Sequence, residues 1–381
     1  MLTTTGFAIS TVVRDDPKEM TVQFGGQSGR RIRANYLAIL NEAAQGEHAA
    51  CVRASHMFQA LSAPRCPSYT FRSELGLLSA TQFTQPALTL SEAARFADLQ
   101  ARGVVPTGPG SGGGGGGVRF AGHSLGEYGA LAALGGGLMP VEKLAAITFV
   151  RGLTMQLAVA RDAASGRSAF SMCAVNPSKV GRGFDEAALE RVVAAVAAHS
   201  PGWLLEVVNY NVRDMQYICA GHTRALACLT AVLGGFGAAA GDAVAPWRDD
   251  DAALEDMVRA RVDEALVLAE PWEYERGPAT VPLRLIDVPF HSSFLAGGIE
   301  TYRRFLRSQL RREEVSVEAL VGRWIPNVTG RAFGVSRAHV EDMYRVTGSD
   351  RLGEILGNWD APSPTADAGE LSAIDSGGGS A

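Results

Sequence analysis

The chain has 381 residues, of which 46% are hydrophobic and 20% are charged, and its formal net charge at pH 7 is −5. A chain of this length can bury one large core, with or without a smaller second one. Its small net charge and scattered basic residues exclude the basic footprint of nucleic-acid-binding proteins and the polybasic patch of membrane-surface proteins. We therefore expect small molecules or other proteins as binding partners.

The cysteines and the amino-terminal segment bear on the cellular compartment. The five cysteines include no Cys-x-x-Cys spacing, which predicts neither a metal centre nor a disulfide framework and is typical of a reducing compartment. The first 20 residues lack a basic start, and their short apolar run is interrupted by charges at residues 14–16. We therefore expect no secretory signal and no membrane anchor, and predict a cytoplasmic protein without a resident metal ion.

The amino-terminal part alternates between strand and helix patterns. A buried strand is predicted from Met20 into a glycine turn, and a helix with apolar residues at three-to-four spacing is predicted over residues 30–44. A second helix is predicted to start after Pro86, with Ser91 as its N-cap, and to end at Gly103.

A low-complexity segment separates this part from the next elements. Residues 104–117 contain six consecutive glycines and predict a surface loop without a chemical role. A Walker A phosphate loop is excluded because the run leads into a predicted strand at 118–124 rather than into a helix. Helices are predicted over 125–134 and 140–161, the latter opening with Pro140.

From residue 168 the predicted elements follow the order β-α-β-β-α-β, which is typical of a ferredoxin-like unit. The six predicted segments are residues 168–175, 185–199, 203–212, 215–221, 223–236 and 282–292. A charged amphipathic helix is predicted within the detour between the last two segments. Its charged face is expected to be solvated.

The fold class predicted from this pattern is α/β, with a small domain inserted into a larger one. The predicted domains are an extension over residues 1–19, a large domain over 20–167 and 292–361, an insert over 168–291, and a disordered tail over 362–381. Within the large domain a helix is expected over 298–311, a strand-like segment over 324–330 and a last helix near 337–346.

The segment Gly-His-Ser-Leu-Gly at residues 122–126 has the form of a nucleophile turn between a strand and a helix. In such a turn Gly122 and Gly126 allow the strand and the helix to approach each other closely, and the Ser124 hydroxyl lies at the positive end of the helix dipole. The backbone N–H of Leu125 would then face a developing oxyanion. The motif alone leaves open a tight turn in which serine only caps the helix, but the strand and helix around it favour a nucleophile.

A serine nucleophile needs a base, and His291 is the best candidate among the seven histidines. It ends an apolar predicted strand and is followed by small residues, where a base could face a cleft. We expect His123 to pack beneath the turn, because its side chain cannot also face the neighbouring hydroxyl. The remaining histidines are expected in surface or capping roles: His48, His56, His199, His222 and His339.

Arg151 interrupts an apolar predicted helix and is followed by a glycine. One interpretation is an arginine that reaches the surface or pairs structurally. The other is a bidentate clamp for a substrate carboxylate, a role that suits arginine better than lysine. The sequence pattern leaves both open.

Seven motifs occur together in one order along the chain, and they resemble the malonyl-CoA:acyl-carrier-protein transacylase family. The motifs are FGGQSG, TQPALTL, GHSLGEY, RGLTMQ, VNYN with QYICAG, PFHSSF and IPNVTG. Longer stretches, such as FRSELGLLSATQFTQPALTL, are similar to the malonyl/palmitoyl transferase region of the fungal-type fatty acid synthase beta subunit. The likeness spans about residues 20–360.

The resemblance implies an α/β-hydrolase-like large domain with a parallel sheet and a ferredoxin-like insert. It also implies a dyad of Ser124 and His291, with the histidine oriented by a backbone carbonyl that we assign to Asn327. It assigns Arg151 to the malonyl carboxylate. Backbone oxyanion donors are assigned to Leu125 and Gln27, and pocket positions to Gln85 and Asn211.

The implied function is transfer of malonyl, with palmitoyl left open, from coenzyme A to the phosphopantetheine thiol of acyl carrier protein in fatty acid biosynthesis. Coenzyme A thioester is then a substrate, no cofactor is bound permanently, and other fatty acid synthase domains or subunits are further candidate partners. Two alternatives stay open: a serine hydrolase or thioesterase, and an inactive structural module of a synthase. A hydrolase would need an acid for its histidine, and Asp287 is poorly placed only four residues before His291.

Overall fold

The computed structural model describes residues 2–105, 118–134, 139–162, 165–238, 251–267, 274–311 and 315–360. Positions 106–117 of the predicted glycine-rich loop and the predicted tail lie outside the described residues. The chain is divided into two compact units. The first unit comprises Met1–Arg102 and Gly137–Val315, and the second comprises Gly103–Gly136 and Ser316–Ala381.

The amino-terminal part of the first unit consists of helices around a small antiparallel sheet. The helices are α1 (Leu2–Thr5), α2 (Ile9–Asp15), α3 (Gly26–Ala43), α4 (Ala49–Ala54), α5 (His56–Ser62), α6 (Thr81–Ala101) and, later in the chain, α8 (Val141–Ala158). Strands β1 (Glu19–Gln23) and β2 (Ser68–Arg72) pair antiparallel, with Glu19 opposite Arg72. The predicted strand at Met20 is present, but it is not buried throughout, because only one face of this two-stranded sheet covers the core and Val22 points into it.

An aromatic cluster forms the centre of this core. The rings of Phe71 and Phe83 lie 5.2 Å apart, and those of Phe7 and Phe149 lie 5.3 Å apart, both edge to face. Edge-to-face contacts of this kind stabilise the folded state beyond the gain from burying the rings. Phe7 belongs to the predicted extension over residues 1–19, so this segment contributes to the core.

Helix α6 begins at Thr81, earlier than predicted. Pro86 lies inside it, and Ser91 is an interior residue of the helix, so the predicted N-cap at Ser91 is wrong. The first turn of α6 packs on α8, and this packing outweighs the local cost of a proline in a helix. The predicted end is confirmed, because α6 stops at Ala101 and Gly103 adopts a positive φ of 72°.

A four-stranded antiparallel sheet with helices packed on it forms the middle of the chain. Its elements are β3 (Phe170–Val175), α9 (Glu186–His199), β4 (Leu205–Val212), β5 (Gln216–His222), α10 (Thr223–Ala238), α11 (Asp251–Leu266) and β6 (Thr280–Pro282). The spatial order of strands is β4-β5-β3-β6. The element order agrees with the predicted β-α-β-β-α-β, but β6 ends at Pro282, so the predicted strand over 282–292 is wrong beyond its first residue.

The predicted charged helix of the detour is α11. Its buried residues recur at helical spacing and join the core of this layer: Leu254, Val258, Val262 and Ala265. The apolar stripe packs against α9 and α10 while charged positions face outward. After β6, the predicted helix over 298–311 is present as α12 (Ile299–Gln309).

The second unit contains α7 (Leu125–Ala133), α13 (Val317–Leu320), α14 (Arg337–Thr347) and α15 (Asp350–Gly357). The strands predicted over 118–124 and 324–330 are reduced to one parallel bridge between Phe120 and Trp324. The Phe120 N–H donates to the Arg323 carbonyl at 2.7 Å, and the Ile325 N–H donates to the Phe120 carbonyl at 2.9 Å.

The described residues thus form a mixed α/β protein. All pairings among the named strands are antiparallel, so the predicted parallel sheet is not confirmed in the part of the chain that the structure describes. Within that same part, every helix is too short or too polar to span a lipid bilayer.

Candidate active site

Ser124 occupies a strained turn directly before α7. Its backbone angles are φ 51° and ψ −106°, a conformation that residues with a side chain rarely adopt. The turn is closed by hydrogen bonds from the Gly126 N–H to the His123 carbonyl, at 2.9 Å, and from the Glu127 N–H to the Ser124 carbonyl, at 3.3 Å. Ser124 occupies the N-cap position of α7, but its side chain makes no cap hydrogen bond to that helix.

Gly122 is required by this turn for steric reasons. A Cβ atom at Gly122 would lie 2.0 Å from the carbonyl carbon of Gly126 and 2.1 Å from its oxygen. A Cβ atom at Gly126 would meet nothing within 4 Å. The predicted close approach of the segment before Ser124 to the helix after it therefore requires glycine at position 122 only. At Gly126 it is the backbone, not the missing side chain, that lies against Gly122.

Leu125 is the first residue of α7, which runs for nine residues. The amides of a first helical turn have no carbonyl four residues earlier within the helix, and they lie at the positive end of its dipole. Glu127, in the same turn, is favourably placed in that field. The Leu125 N–H thus has the helical position that an oxyanion donor needs.

Asn327 is bound to the turn that holds Ser124. Its side-chain N–H₂ donates to the Gly122 carbonyl at 2.8 Å and to Glu127 Oε2 at 2.9 Å. Its backbone N–H donates to Glu127 Oε1 at 3.0 Å. Glu127 therefore connects the loop at Asn327 to the start of α7, a role that sequence reasoning missed although an acid in a first helical turn was visible.

Arg151 and Gln85, both predicted as site residues, contact each other in the first unit. Arg151 Nη1 donates to Gln85 Oε1 at 2.8 Å. Gln85 is buried, with 5% of its surface exposed, and its Nε2 donates to Thr81 Oγ1 at 2.9 Å. The guanidinium is therefore held by a neutral amide between α6 and α8, rather than extending freely to the surface.

His291 lies in an exposed turn after β6, not at the end of a strand as predicted. Its φ is 64°, again a conformation that disfavours a side chain. Contacts on both sides hold the turn: the Ser293 N–H donates to Glu206 Oε2 at 2.8 Å, and Asp287 forms an ion pair with Arg161. Both carboxylate oxygens of Asp287 are bound by the Arg161 guanidinium, which anchors the segment before His291.

Backbone strain coincides with the predicted dyad. The described part of the chain has five residues other than glycine with positive φ: Asp16, Ser124, Asp214, Leu285 and His291. Strained backbone persists only where surrounding structure enforces it, and it concentrates at functional sites. The predicted nucleophile and base are two of these five.

Gln27 and Asn211 take different positions in the first unit. Gln27 is the second residue of α3, exposed, in a turn where Gly29 lies so close to Phe24 that a Cβ would be 2.4 Å from its carbonyl carbon. Its amide, like that of Leu125, has no partner within its own helix by position. Asn211 is exposed near the end of edge strand β4, where the pairing register with β5 shifts.

The other histidines depart in part from prediction. His123 is exposed rather than packed beneath the turn. His339 is buried at 9% exposure, 5.5 Å from the Phe333 ring, and is not a surface residue. His222 stacks on Trp203 at 5.5 Å.

Sequence comparisons place the chain among known proteins. A sequence model of the family described as acyl transferase domain matches residues 1–351. The fatty acid synthase beta subunit TOXC of Cochliobolus carbonum is 45% identical over 355 residues, covering 93% of this chain and 16% of that protein. The fatty acid synthase subunit beta of Saccharomyces cerevisiae is 41% identical over 363 residues, covering 94% of this chain and 17% of that protein.

The chain spans about a sixth of the length of these two curated relatives. Among solved structures, a malonyl-CoA:acyl carrier protein transacylase from Xanthomonas oryzae superposes with a TM-score of 0.39 and 20% identity, over 82% of this chain and 70% of that one. A superposition of that quality supports no conclusion about this chain. The family match covers nearly the whole sequence, and the chain belongs to the acyl transferase domain family.

Proposed function

We propose that this chain transfers a malonyl group from coenzyme A to the phosphopantetheine thiol of acyl carrier protein through an acyl-serine intermediate. The observation that carries this proposal is the strained turn at Ser124, immediately before α7, in a member of an acyl transferase family. Palmitoyl is a second candidate acyl group.

In the first half-reaction Ser124 Oγ attacks the thioester carbonyl while His291 takes the hydroxyl proton as general base. The backbone N–H groups of Leu125 and Gln27 stabilise the negative oxygen that develops. The carbonyl then re-forms, the bond to sulfur breaks, and the coenzyme A thiolate leaves with the proton from His291. The Asn327 backbone carbonyl is the proposed partner that orients the imidazole.

In the second half-reaction the phosphopantetheine thiol of the carrier protein attacks the acyl-serine carbonyl. His291 removes the thiol proton and returns it to Ser124 Oγ as the ester bond breaks. The product is malonyl-carrier protein with free enzyme. No metal ion or permanently bound cofactor takes part in these steps.

Specificity for malonyl is assigned to Arg151. A guanidinium matches a carboxylate geometrically and electrostatically, and Gln85 binds its Nη1 atom. Asn211, exposed on β4, is assigned to the acyl or pantetheine pocket. Retention of a charged acyl group in one orientation would also protect the acyl-serine from water.

For the architecture, we infer a ferredoxin-like insert over residues 168–291 within an α/β-hydrolase-like core over 20–167 and 292–361. The insert is supported by the β-α-β-β-α-β order along the chain and by the spatial strand order β4-β5-β3-β6. In that sheet β3 and β6, the first and last strands of the insert in sequence, are neighbours. The core is supported by the parallel bridge between Phe120 and Trp324, next to the serine turn.

The proposed partners are acyl carrier protein and other domains or subunits of a fatty acid synthase, in the cytoplasm. Support comes from the relatives, which are fatty acid synthase beta subunits of which this chain spans a small part. Such a protein would pass the acyl group to its carrier protein within an assembly.

A serine hydrolase and an inactive module are weaker alternatives. Asp287, the acid nearest His291 in sequence, has its carboxylate engaged in an ion pair with Arg161, which weighs against its use in a hydrolase triad. The backbone strain at Ser124 carries a free-energy cost, and strain of this kind concentrates at functional sites, which weighs against a decayed site.

The test is mass spectrometry of the intact protein after brief exposure to malonyl-CoA. A malonyl adduct should appear on the native chain and be absent from Ser124→Ala. Ser349→Ala is the matched control, since Ser349 also precedes a helix in the second unit without a side-chain cap but with an ordinary φ of −66°. Adding acyl carrier protein should move the label to the carrier; release of free malonate instead would identify a hydrolase.

A further inference from the structure

Four side chains form a small array between α6 and α8, which we call the Arg151 cradle: Thr81, Gln85, Arg151 and Met155. Thr81 and Gln85 are four residues apart on α6, and Arg151 and Met155 are four apart on α8, so each pair shares one helix face. Gln85 lies at the centre, bonded to Arg151 and to Thr81, with its Nε2 atom 3.6 Å from Met155 Sδ.

The donors and acceptors in the cradle determine how the Gln85 amide is oriented. A guanidinium can only donate hydrogen bonds, so the amide must present its oxygen to Arg151. The amide nitrogen consequently points to Thr81, whose hydroxyl oxygen accepts at 2.9 Å. Loss of that acceptor would leave a buried N–H group poorly satisfied and free the amide to rotate.

Gly152 brings the two helices close enough for these contacts. A Cβ atom at Gly152 would lie 2.5 Å from the Thr81 carbonyl oxygen and 2.5 Å from Gln82 Cα. The backbone of α8 thus rests directly on the first turn of α6, beside Thr81. The close packing of α8 on α6 therefore requires a glycine at position 152, directly after Arg151.

The first turn of α6 is itself fixed. Thr84 Oγ1 donates to the Leu78 carbonyl at 2.6 Å and lies 3.1 Å from the Ala80 carbonyl, which ties the helix start to the preceding segment. Thr81 therefore presents its hydroxyl from a helical turn that is anchored to the preceding segment.

We propose that Thr81 is a positioning residue that sets the orientation of Arg151 through Gln85, and thereby favours acyl groups that end in a carboxylate over uncharged ones. The inference rests on the proposed function and adds a determinant of its specificity. Gln85 is neutral, so its hydrogen bond orients the guanidinium without adding a negative charge beside it.

The experiment measures initial rates of transfer from malonyl-CoA and from palmitoyl-CoA by the full chain. Thr81→Val replaces the hydroxyl by a methyl group of similar size, and Thr81→Ser keeps the hydroxyl. We expect Thr81→Val to lower the ratio of malonyl to palmitoyl transfer by about two- to tenfold, chiefly through a higher KM for malonyl-CoA. Thr81→Ser should restore the ratio.

Two further variants make the readout specific. Thr89→Val is the matched control, because the Thr89 hydroxyl on the same helix bonds to the backbone carbonyls of Gln85 and Pro86 and to Thr148, whereas Thr81 bonds to the Gln85 side chain. It should leave the ratio unchanged. In a Gln85→Ala background, Thr81→Val should have no further effect on the ratio, because the residue through which it acts is gone.

Folding is checked by thermal melting, and if Thr81→Val does not fold, Thr81→Ala is measured in its place. Failure of the native chain to accept malonyl would overturn the proposed function and this role of Thr81 with it. A native chain that transfers malonyl, with an unchanged ratio in Thr81→Val, would overturn only the role of Thr81. An equal ratio change in Thr89→Val would do the same.

Discussion

The side-chain amide of Asn327 donates hydrogen bonds to the Gly122 carbonyl at 2.8 Å and to Glu127 at 2.9 Å, across a separation of 200 residues or more in the chain. One residue thereby contacts both sides of the turn that holds Ser124. The Glu127 carboxylate also accepts the backbone N–H of Asn327, so the clamp has three hydrogen bonds.

Removal of this clamp should slow the chemical step. In Asn327→Ala the turn loses two hydrogen bonds, and we expect the rate of acyl-serine formation to fall by about tenfold because the proposed nucleophile is less well oriented. Rapid-quench measurement of the malonyl adduct reports this rate. Asn358→Ala, which removes an exposed amide bound to the Glu354 carbonyl in the same unit, should leave it unchanged; equal rates in both variants would contradict the role of the clamp.

The two glycines that flank the serine should respond in opposite ways. Gly122→Ala forces a methyl group against the backbone of Gly126 and should lower the free energy of unfolding by about 3 kcal/mol or more. Gly126→Ala meets empty space within a helix and should leave stability unchanged or raise it by about 0.5 kcal/mol. Urea unfolding of both variants measures this free energy. A similar loss of stability in both would show that the turn does not specifically require glycine at position 122.

Arg151 should determine preference among acyl groups. Arg151→Ala is expected to lower malonyl transfer relative to palmitoyl transfer by about 10- to 100-fold, the range for loss of a charged hydrogen-bonded contact. Lys143→Ala, on the first turns of the same helix, is the control for a lost positive charge. Competition between the two thioesters gives the ratio directly, and an unchanged ratio would reject the carboxylate contact.

The turn at His291 should depend on Glu206. Glu206 accepts hydrogen bonds from both the N–H and the hydroxyl of Ser293, two residues after the strained histidine. Glu206→Ala is therefore expected to reduce kcat for malonyl transfer about fivefold or more, with little change in KM, because the proposed base is less well placed. Glu190→Ala, which removes an exposed acceptor for the Tyr210 hydroxyl, should not have this effect. A change confined to KM would contradict it.

Alkaline pH should destabilise the aromatic core of the first unit. Burial raises the pKa of Tyr69 to about 12 and that of Tyr36 well above its ordinary value near 10. The unfolded chain therefore loses these protons first, so their contribution to stability is complete below about pH 10 and is lost as pH rises toward 12 and beyond. Urea unfolding between pH 8 and 11 should show this decline, with a smaller slope for Tyr69→Phe than for the native chain.

Most helices could be predicted from the sequence because their signals are local. The three-to-four spacing in α3 and α11, and Pro140 at the start of α8, lie within single elements. Predictions failed where distant packing decides. Pro86 indicated a helix start, yet α6 continues through it while packing on α8. The apolar run before His291 forms turns rather than a strand, because Leu285 adopts a φ of 69°, outside the range of an extended strand.

The sequence by itself determined which chemical groups are available: a serine between glycines, a histidine, and an arginine within an apolar helix. It could not show that Glu127 accepts hydrogen bonds from Asn327 or that Thr81 accepts one from Gln85. The bond between Arg151 and Gln85 joins residues 66 positions apart, and those of Asn327 join residues at least 200 apart. Only the tertiary structure decided these contacts, because hydrogen bonds act over about 3 Å and depend on how distant segments pack.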